Sequence, residues 1–183
     1  MSGEARSEVV YSGRDITVRR EVFFRGGRVI DVELLDHPGA VAVLARTEGG
    51  TFVLEEQYRP AMGGRIYEFP AGTLRKGEEP SSCARRELLE ETGYLAETLR
   101  PLGSIVTAPG YSTETIHLFF AEAKKQGTPS LEEDEEISVL EAGPLEILNL
   151  VREGRLRDSK SLSLLLVAGL SGLLPPEATP PSK

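Results

Sequence analysis

GTLRKGEEPSSCARRELLEETGY, residues 72–94, is the stretch on which the reading of the whole chain turns. Its opening, from Gly72 to Gly77, has the composition of a loop. Pro80 suits the first turn of a helix, where the N–H it lacks would have no partner. Gly93 stands where a helix stops on a left-handed residue. Between them the spacing predicts a helix. At about 100° per residue, Glu87, Glu90 and Glu91 share one face, while Cys83, Ala84 and Leu88 lie on another. Three carboxylates on one helical face, with Glu78 just upstream, repel one another and ask for a counter-charge. Arg85 and Arg86 supply part of it, as they would on any solvated helix. Hard divalent cations such as Mg²⁺, which take oxygen ligands, would supply more.

The 183 residues fit one domain with a substantial core, and 39% hydrophobic with 27% charged residues is the balance of a soluble globular protein. A net charge of −8 opposes general binding to a nucleic-acid backbone. The one cysteine, Cys83, excludes an intramolecular disulfide, fits a reducing compartment and is expected to pack inside the predicted helix. Two distant histidines, His37 and His117, form no zinc-binding spacing. The first ten residues carry no apolar signal-like run, and the most apolar stretch, 162–174, is too short to span a bilayer. These features predict a cytoplasmic protein with neither nucleic acid nor membrane as a partner.

Outside the opening stretch, the pattern is mostly β. Residues 1–7 are expected to fray. VVYSG, DITVRREVFF and RVIDVELL follow, with Gly26-Gly27 as a hairpin turn. AVAVLAR and TFVLEEQYR are split by Glu48-Gly49-Gly50, and the nearly all-apolar run 40–45 predicts a strand buried on both faces. Residues 59–72 read as a loop, a short strand (RIYEF) and the approach to the glycine loop. Beyond the helix come two strands around a Pro109-Gly110 turn, an acidic loop, the strand ISVLEAG and two helices, 144–153 and 159–174. The proline-rich residues 175–183 are expected to be disordered. This order of elements predicts an α/β or α+β layer fold.

Gly72, Glu78, Arg86, Glu87, Leu88, Glu90, Glu91, Gly93 and Tyr94 match the Nudix box at nine positions over 23 residues. The chain therefore resembles the Nudix hydrolase superfamily. That resemblance implies an α/β/α sandwich with a central mixed sheet over residues 36–174, preceded by an N-terminal antiparallel β segment over 1–35. It implies hydrolysis of a nucleoside diphosphate derivative by water, with metal ligands at Glu87, Glu90, Glu91 and the Ala71 carbonyl. Mg²⁺ is the expected cofactor, with Mn²⁺ or another divalent ion as a substitute. Glu78 and Arg86 would pair to tie the loop to the helix.

Three further features resemble the ADP-ribose pyrophosphatase branch. The first is Gln57-Tyr58-Arg59-Pro60 with Tyr67-Glu68-Phe69-Pro70-Ala71-Gly72; the second is Pro109, sixteen residues after Gly93; the third is the acidic loop 132–136. By that resemblance Arg59 meets phosphate, Glu68 the ribose or base, and Glu135, or its neighbour Glu136, acts as general base beside Glu87 and Glu91. The expected reaction is ADP-ribose to AMP and ribose 5-phosphate. A GDP-sugar or UDP-sugar pyrophosphatase and a non-catalytic Nudix-fold sensor are the alternatives. The branch also implies a homodimer in which the arginine-rich segment 14–35 reaches the partner's site, with Phe23 or Phe24 stacking on a base.

Overall fold

A computed structural model of the chain describes residues 6–174, except residues 15, 132 and 134. Strands β1 (Arg6–Ser12), β2 (Thr17–Arg25) and β3 (Arg28–Asp36) form an antiparallel sheet in that order. Gly26 and Gly27, at φ 58° and 78°, make the β2–β3 turn and provide the two positive-φ positions such a tight hairpin needs. Arg6 and Ser7 pair with Val22 and Glu21, so regular strand begins inside the stretch expected to fray. Strand pairing across to β2 holds them, which local composition does not report. The sheet is tied to the rest of the chain through Leu35, whose N–H donates to the Tyr111 carbonyl at 2.7 Å and whose carbonyl accepts from Thr113 at 3.0 Å.

The main sheet is mixed and contains β4 (Ala40–Thr47), β5 (Phe52–Arg59), β6 (Gly64–Glu68), β7 (Ala71–Thr73), β8 (Tyr94–Val106), β9 (Thr115–Lys125) and β10 (Ile137–Ala142). Its order is β10-β5-β4-β9-β8, with β6 added to β5 and β7 to β4. β4 and β9 run parallel, and the other pairs run antiparallel. Helix α1 (Pro80–Thr92) covers one face; α2 (Pro144–Arg152) and α3 (Ser159–Leu170) cover the other. The α/β/α sandwich and the separate N-terminal sheet are thus as expected.

β4 shows why the sandwich needs helices on both sides. Ala40, Ala42 and Leu44 pack with Leu164 and Ala168 of α3, while Val41, Val43 and Ala45 pack with Cys83, Ala84 and Leu88 of α1. A strand buried on both faces has no polar face to show water, and its sequence is accordingly continuous and apolar.

Two further boundaries differ from the sequence reading. Residues 71–73 pair with Ala40–Ala42 as β7 rather than forming loop, a non-local pairing that three residues cannot signal by periodicity. α3 ends at Leu170 instead of Leu174, because Gly172 turns at φ 68° and Leu173 donates back to the Ala168 carbonyl. The expected disordered tail, 175–183, lies outside the described residues, as do Glu132 and Asp134 of the acidic loop. Among the described residues no helix is long and apolar enough to cross a membrane.

Candidate active site

The helix α1 begins and ends where its punctuation places it. Pro80 occupies the first turn, and Gly93, at φ 74°, closes the helix with its N–H on the Leu89 carbonyl. A side chain at Gly93 would meet the Gly127 carbonyl oxygen at 2.4 Å, so the stop is also a close backbone crossing. Upstream, the loop is fastened to the helix by Arg86. Its guanidinium donates twice to Glu78, at 2.8 and 2.9 Å, and to Glu87 at 2.7 Å, Glu90 at 3.0 Å and the Thr73 carbonyl at 3.4 Å. Arg75 closes the loop by donating its N–H to Glu78 at 2.9 Å. Hydrogen bonding from Arg86 holds the Glu78 carboxyl down at about 2. That contribution to folding is full above the ordinary carboxyl range and is lost as pH falls through about 2. Arg85 takes no part, donating instead to the Ala96 carbonyl at 2.5 Å.

The three carboxylates of the predicted helix face do not share one environment. Glu91 is only 4% exposed and accepts a hydrogen bond from the Ala71 N–H at 3.1 Å. Glu87 is half-buried against Arg86, and Glu90 is the outermost, reaching Arg86 and Arg75. The face that looked uniform straddles the boundary between sheet and solvent. Burial raises the Glu91 carboxyl well above its usual range, and Glu55, Glu87 and Glu135 add to the shift. Burial also raises Glu87, against the lowering effect of Arg86.

Glu87 meets β7 at the closest approach in the site. A Cβ on Gly72 would lie 2.0 Å from the Glu87 carboxyl carbon, so any larger residue there would push the Glu87 carboxylate aside. Cys83, on the same helix, is fully buried with its thiol pushed up to about 12, mainly by burial. It packs rather than reacts, as its position on α1 suggested.

Glu87 and Glu91 open into a cleft of about 1150 Å³ that is also lined by Ala71, Gly72, Gln57, Arg59, Arg86 and Glu135. Arg14, Thr17 and Asp36 of the N-terminal segment form part of its wall. Of the two candidate bases, Glu135 faces this cleft, whereas Glu136 pairs with Arg65 at 3.2 Å. Glu90 and Glu68 are not part of the lining. Glu68 is 3% exposed, with one carboxylate oxygen accepting from Arg59 at 2.7 Å and the other from Lys160. It stands behind Arg59 instead of in the open cleft.

Lys160 was not visible as a site residue in the sequence. It lies 92 positions from Glu68 and also donates to Asp158, which caps the N-terminus of α3 through the Ser161 N–H at 3.0 Å. The Ser161 hydroxyl in turn accepts from the Phe69 N–H at 2.9 Å, which docks α3 beside β6. Glu55, 1% exposed, was likewise missed, and Gln57, 6% exposed, entered only as part of the Gln57-Tyr58-Arg59-Pro60 run with no role of its own. Both sit within a strand whose alternation shows a face without showing what opposes it.

The donor set fits a hard divalent cation. Two half-buried or buried carboxylates with raised protonation ranges, a third across the cleft and a nearby backbone offer oxygen alone. Among the described residues no three acidic side chains are drawn tightly enough to enclose an ion by themselves, so backbone, water or substrate oxygens would complete its shell.

The NUDIX domain family matches residues 35–165, which spans most of the chain and every cleft-lining residue named above except Arg14 and Thr17. The chain belongs to the NUDIX family. It is similar to the methanol dehydrogenase activator of Bacillus methanolicus, at 41% identity over 86% of each chain. Similar, too, is the ADP-ribose pyrophosphatase of Bacillus subtilis, at 40% identity over 84% of this chain and 85% of that one. The GDP-mannose pyrophosphatase of Cronobacter sakazakii is 36% identical over 88% and 83%. Among solved structures, an ADP compounds hydrolase superposes with a TM-score of 0.78 at 20% identity, covering 92% of this chain and 95% of that one. This last likeness shows the NUDIX fold.

The contact between Gly72 and Glu87 yields a direct test. Gly72→Ala displaces the Glu87 carboxylate, so Mn²⁺ affinity should fall by about tenfold or more while the protein stays folded. Calorimetric titration with Mn²⁺ and a thermal melt check both halves of that expectation.

Proposed function

We propose that this NUDIX protein hydrolyses the pyrophosphate bond of ADP-ribose to AMP and ribose 5-phosphate with Mg²⁺, or Mn²⁺ in its place. The observation that carries the reading is the convergence of Glu87, Glu91 and Glu135 on one cleft that also presents Arg59. The names of the relatives from Bacillus subtilis and Mycobacterium tuberculosis, 40% and 37% identical, support ADP-ribose as the substrate. The GDP-mannose pyrophosphatases, at 34–36% identity, support a GDP-sugar as the second reading.

In this mechanism Glu87 and Glu91, with the Ala71 carbonyl, hold the cation, and Glu90 lends its charge from the rim. When bound, the cation offsets the phosphate charge and makes water a stronger nucleophile. Arg59 binds a phosphate oxygen in the cleft. Glu68 orients Arg59 through their 2.7 Å ion pair, and Lys160 holds Glu68 in place from the other side. This places Glu68 one step back from the ribose or base contact that the sequence suggested. Glu135 accepts a proton from the attacking water, a part its position on the cleft suits better than that of Glu136. Glu78 and Arg86 hold the loop and helix in register so that the carboxylates keep their geometry.

The proposal includes a homodimer built through the N-terminal β segment, 1–35, in a cytoplasmic enzyme. Val9, Val10 and Tyr11 of β1 and Phe24 and Val29 of the β2–β3 hairpin are exposed by half or more, an apolar surface that a partner would cover. Light scattering at micromolar concentration should give twice the chain mass; a monomeric mass rejects the dimer.

The substrate is tested by hydrolysis of ADP-ribose, GDP-mannose, UDP-glucose and NADH with Mg²⁺, followed by product identification. The expected result is the highest kcat/KM for ADP-ribose, with AMP and ribose 5-phosphate released. Preference for GDP-mannose would favour the second reading, and ligand binding without turnover would make the protein a sensor. Glu135→Gln should lower kcat by about 10²–10⁴-fold with little change in KM, as loss of a general base does. Steady-state kinetics with unchanged kcat would remove Glu135 from that role.

A further inference from the structure

We propose that Glu55, buried behind the cleft, is a positioning residue that lends its charge to Glu91 and sets how tightly the α1 carboxylates hold a divalent cation. The inference rests on the metal-dependent reading above and extends it to a residue on a different element.

Alternation along β5 puts Val53, Glu55, Gln57 and Arg59 on one face of the sheet. One end of this row is core: Val53 packs with Cys83, Ala84 and Leu88 of α1. The other end is cleft: Gln57 and Arg59 line it together with Glu87 and Glu91. Glu55 lies where the apolar face of α1 gives way to its acidic one, opposite Glu68 of β6 and Val139 of β10 in the strand register. Val139 packs into the same apolar cluster as Val53, so an aliphatic side chain at 55 would continue the core without a break.

A carboxyl stands there instead, 1% exposed, and its Oε1 has no hydrogen-bond partner among the described residues. The Oε1 of Gln57, two residues along the same face and 6% exposed, has none either. Two oxygen acceptors on one face of β5, both more than nine-tenths buried and neither hydrogen-bonded among the described residues, are oxygens that water has lost. The nearby protein cations are already engaged. Lys160 binds Glu68 and Asp158, and Arg59 binds Glu68. A divalent cation held by Glu87 and Glu91 is the positive charge this arrangement lacks. Charge on Glu55 favours its binding from a second position, through a medium that screens it little. Burying that carboxyl without a hydrogen-bond partner for its Oε1 costs the cation-free protein stability.

The test uses the full chain and two variants, Glu55→Gln, which keeps the shape, and Glu55→Val, which continues the core. Mn²⁺ affinity is measured by calorimetry without substrate, and thermal stability in EDTA. Both variants should weaken Mn²⁺ binding by about tenfold, and the Val variant should melt higher than wild type in EDTA. A Kd within twofold of wild type in both variants assigns Glu55 to structure alone and overturns the inference, whatever happens to Tm. Failure of the underlying reading looks different: wild type itself would then bind no Mn²⁺, and the inference would fall with it.

Discussion

One guanidinium holds the site together. Arg86 sits at the joint between the loop that follows β7 and the helix α1, and it reaches Glu78 on the loop as well as Glu87 and Glu90 on the helix. Because both sides of the joint are anionic, the cation between them fixes their separation more firmly than a pair of neutral groups would. The contact is largely screened from water, with about 15% of each of the Arg86 and Glu78 side chains exposed, so its electrostatics are not diluted as at an open surface. Gly72 then permits what Arg86 enforces. With no side chain on Gly72, β7 lies directly beneath the Glu87 carboxylate.

The interior behind that joint is arranged against its own stability. Glu55, Glu68 and Glu91 are all nearly inaccessible, and the cationic partners Arg59 and Lys160 both commit to Glu68. Buried carboxyls with too few cationic partners are a cost that packing elsewhere has to offset. Here the offset comes from the apolar layers on either side of β4, where strand and helices leave no polar face. A well-packed sandwich can carry a strained acidic cleft at one end, and such a cleft is suited to a charged ligand.

Much of this was legible in the chain. The hairpin glycines, the proline and glycine that bound α1, and the continuous apolar run of β4 all act through neighbouring residues or through periodicity. They appear in the structure where the sequence puts them. The spacing of Gly72, Glu78, Arg86 and Glu87 was legible for the same reason: each contact is made within one loop and one helix.

The division of the glutamates was not legible. Glu87, Glu90 and Glu91 are equivalent by helical angle, and only the placement of β5 and β7 against α1 buries Glu91 and leaves Glu90 outside. Lys160 and Glu55 reach the site from α3 and β5, at sequence distances over which no periodicity extends. The sequence by itself therefore determined the family, the order of elements and the local geometry of the loop and helix, because short-range sterics and periodicity set these. Only the tertiary structure decided which carboxylates are buried, which cation shares Glu68 with Arg59, and that Glu135 rather than Glu136 faces the cleft. Those outcomes depend on how separate elements shut out water from one another, and no single segment encodes that.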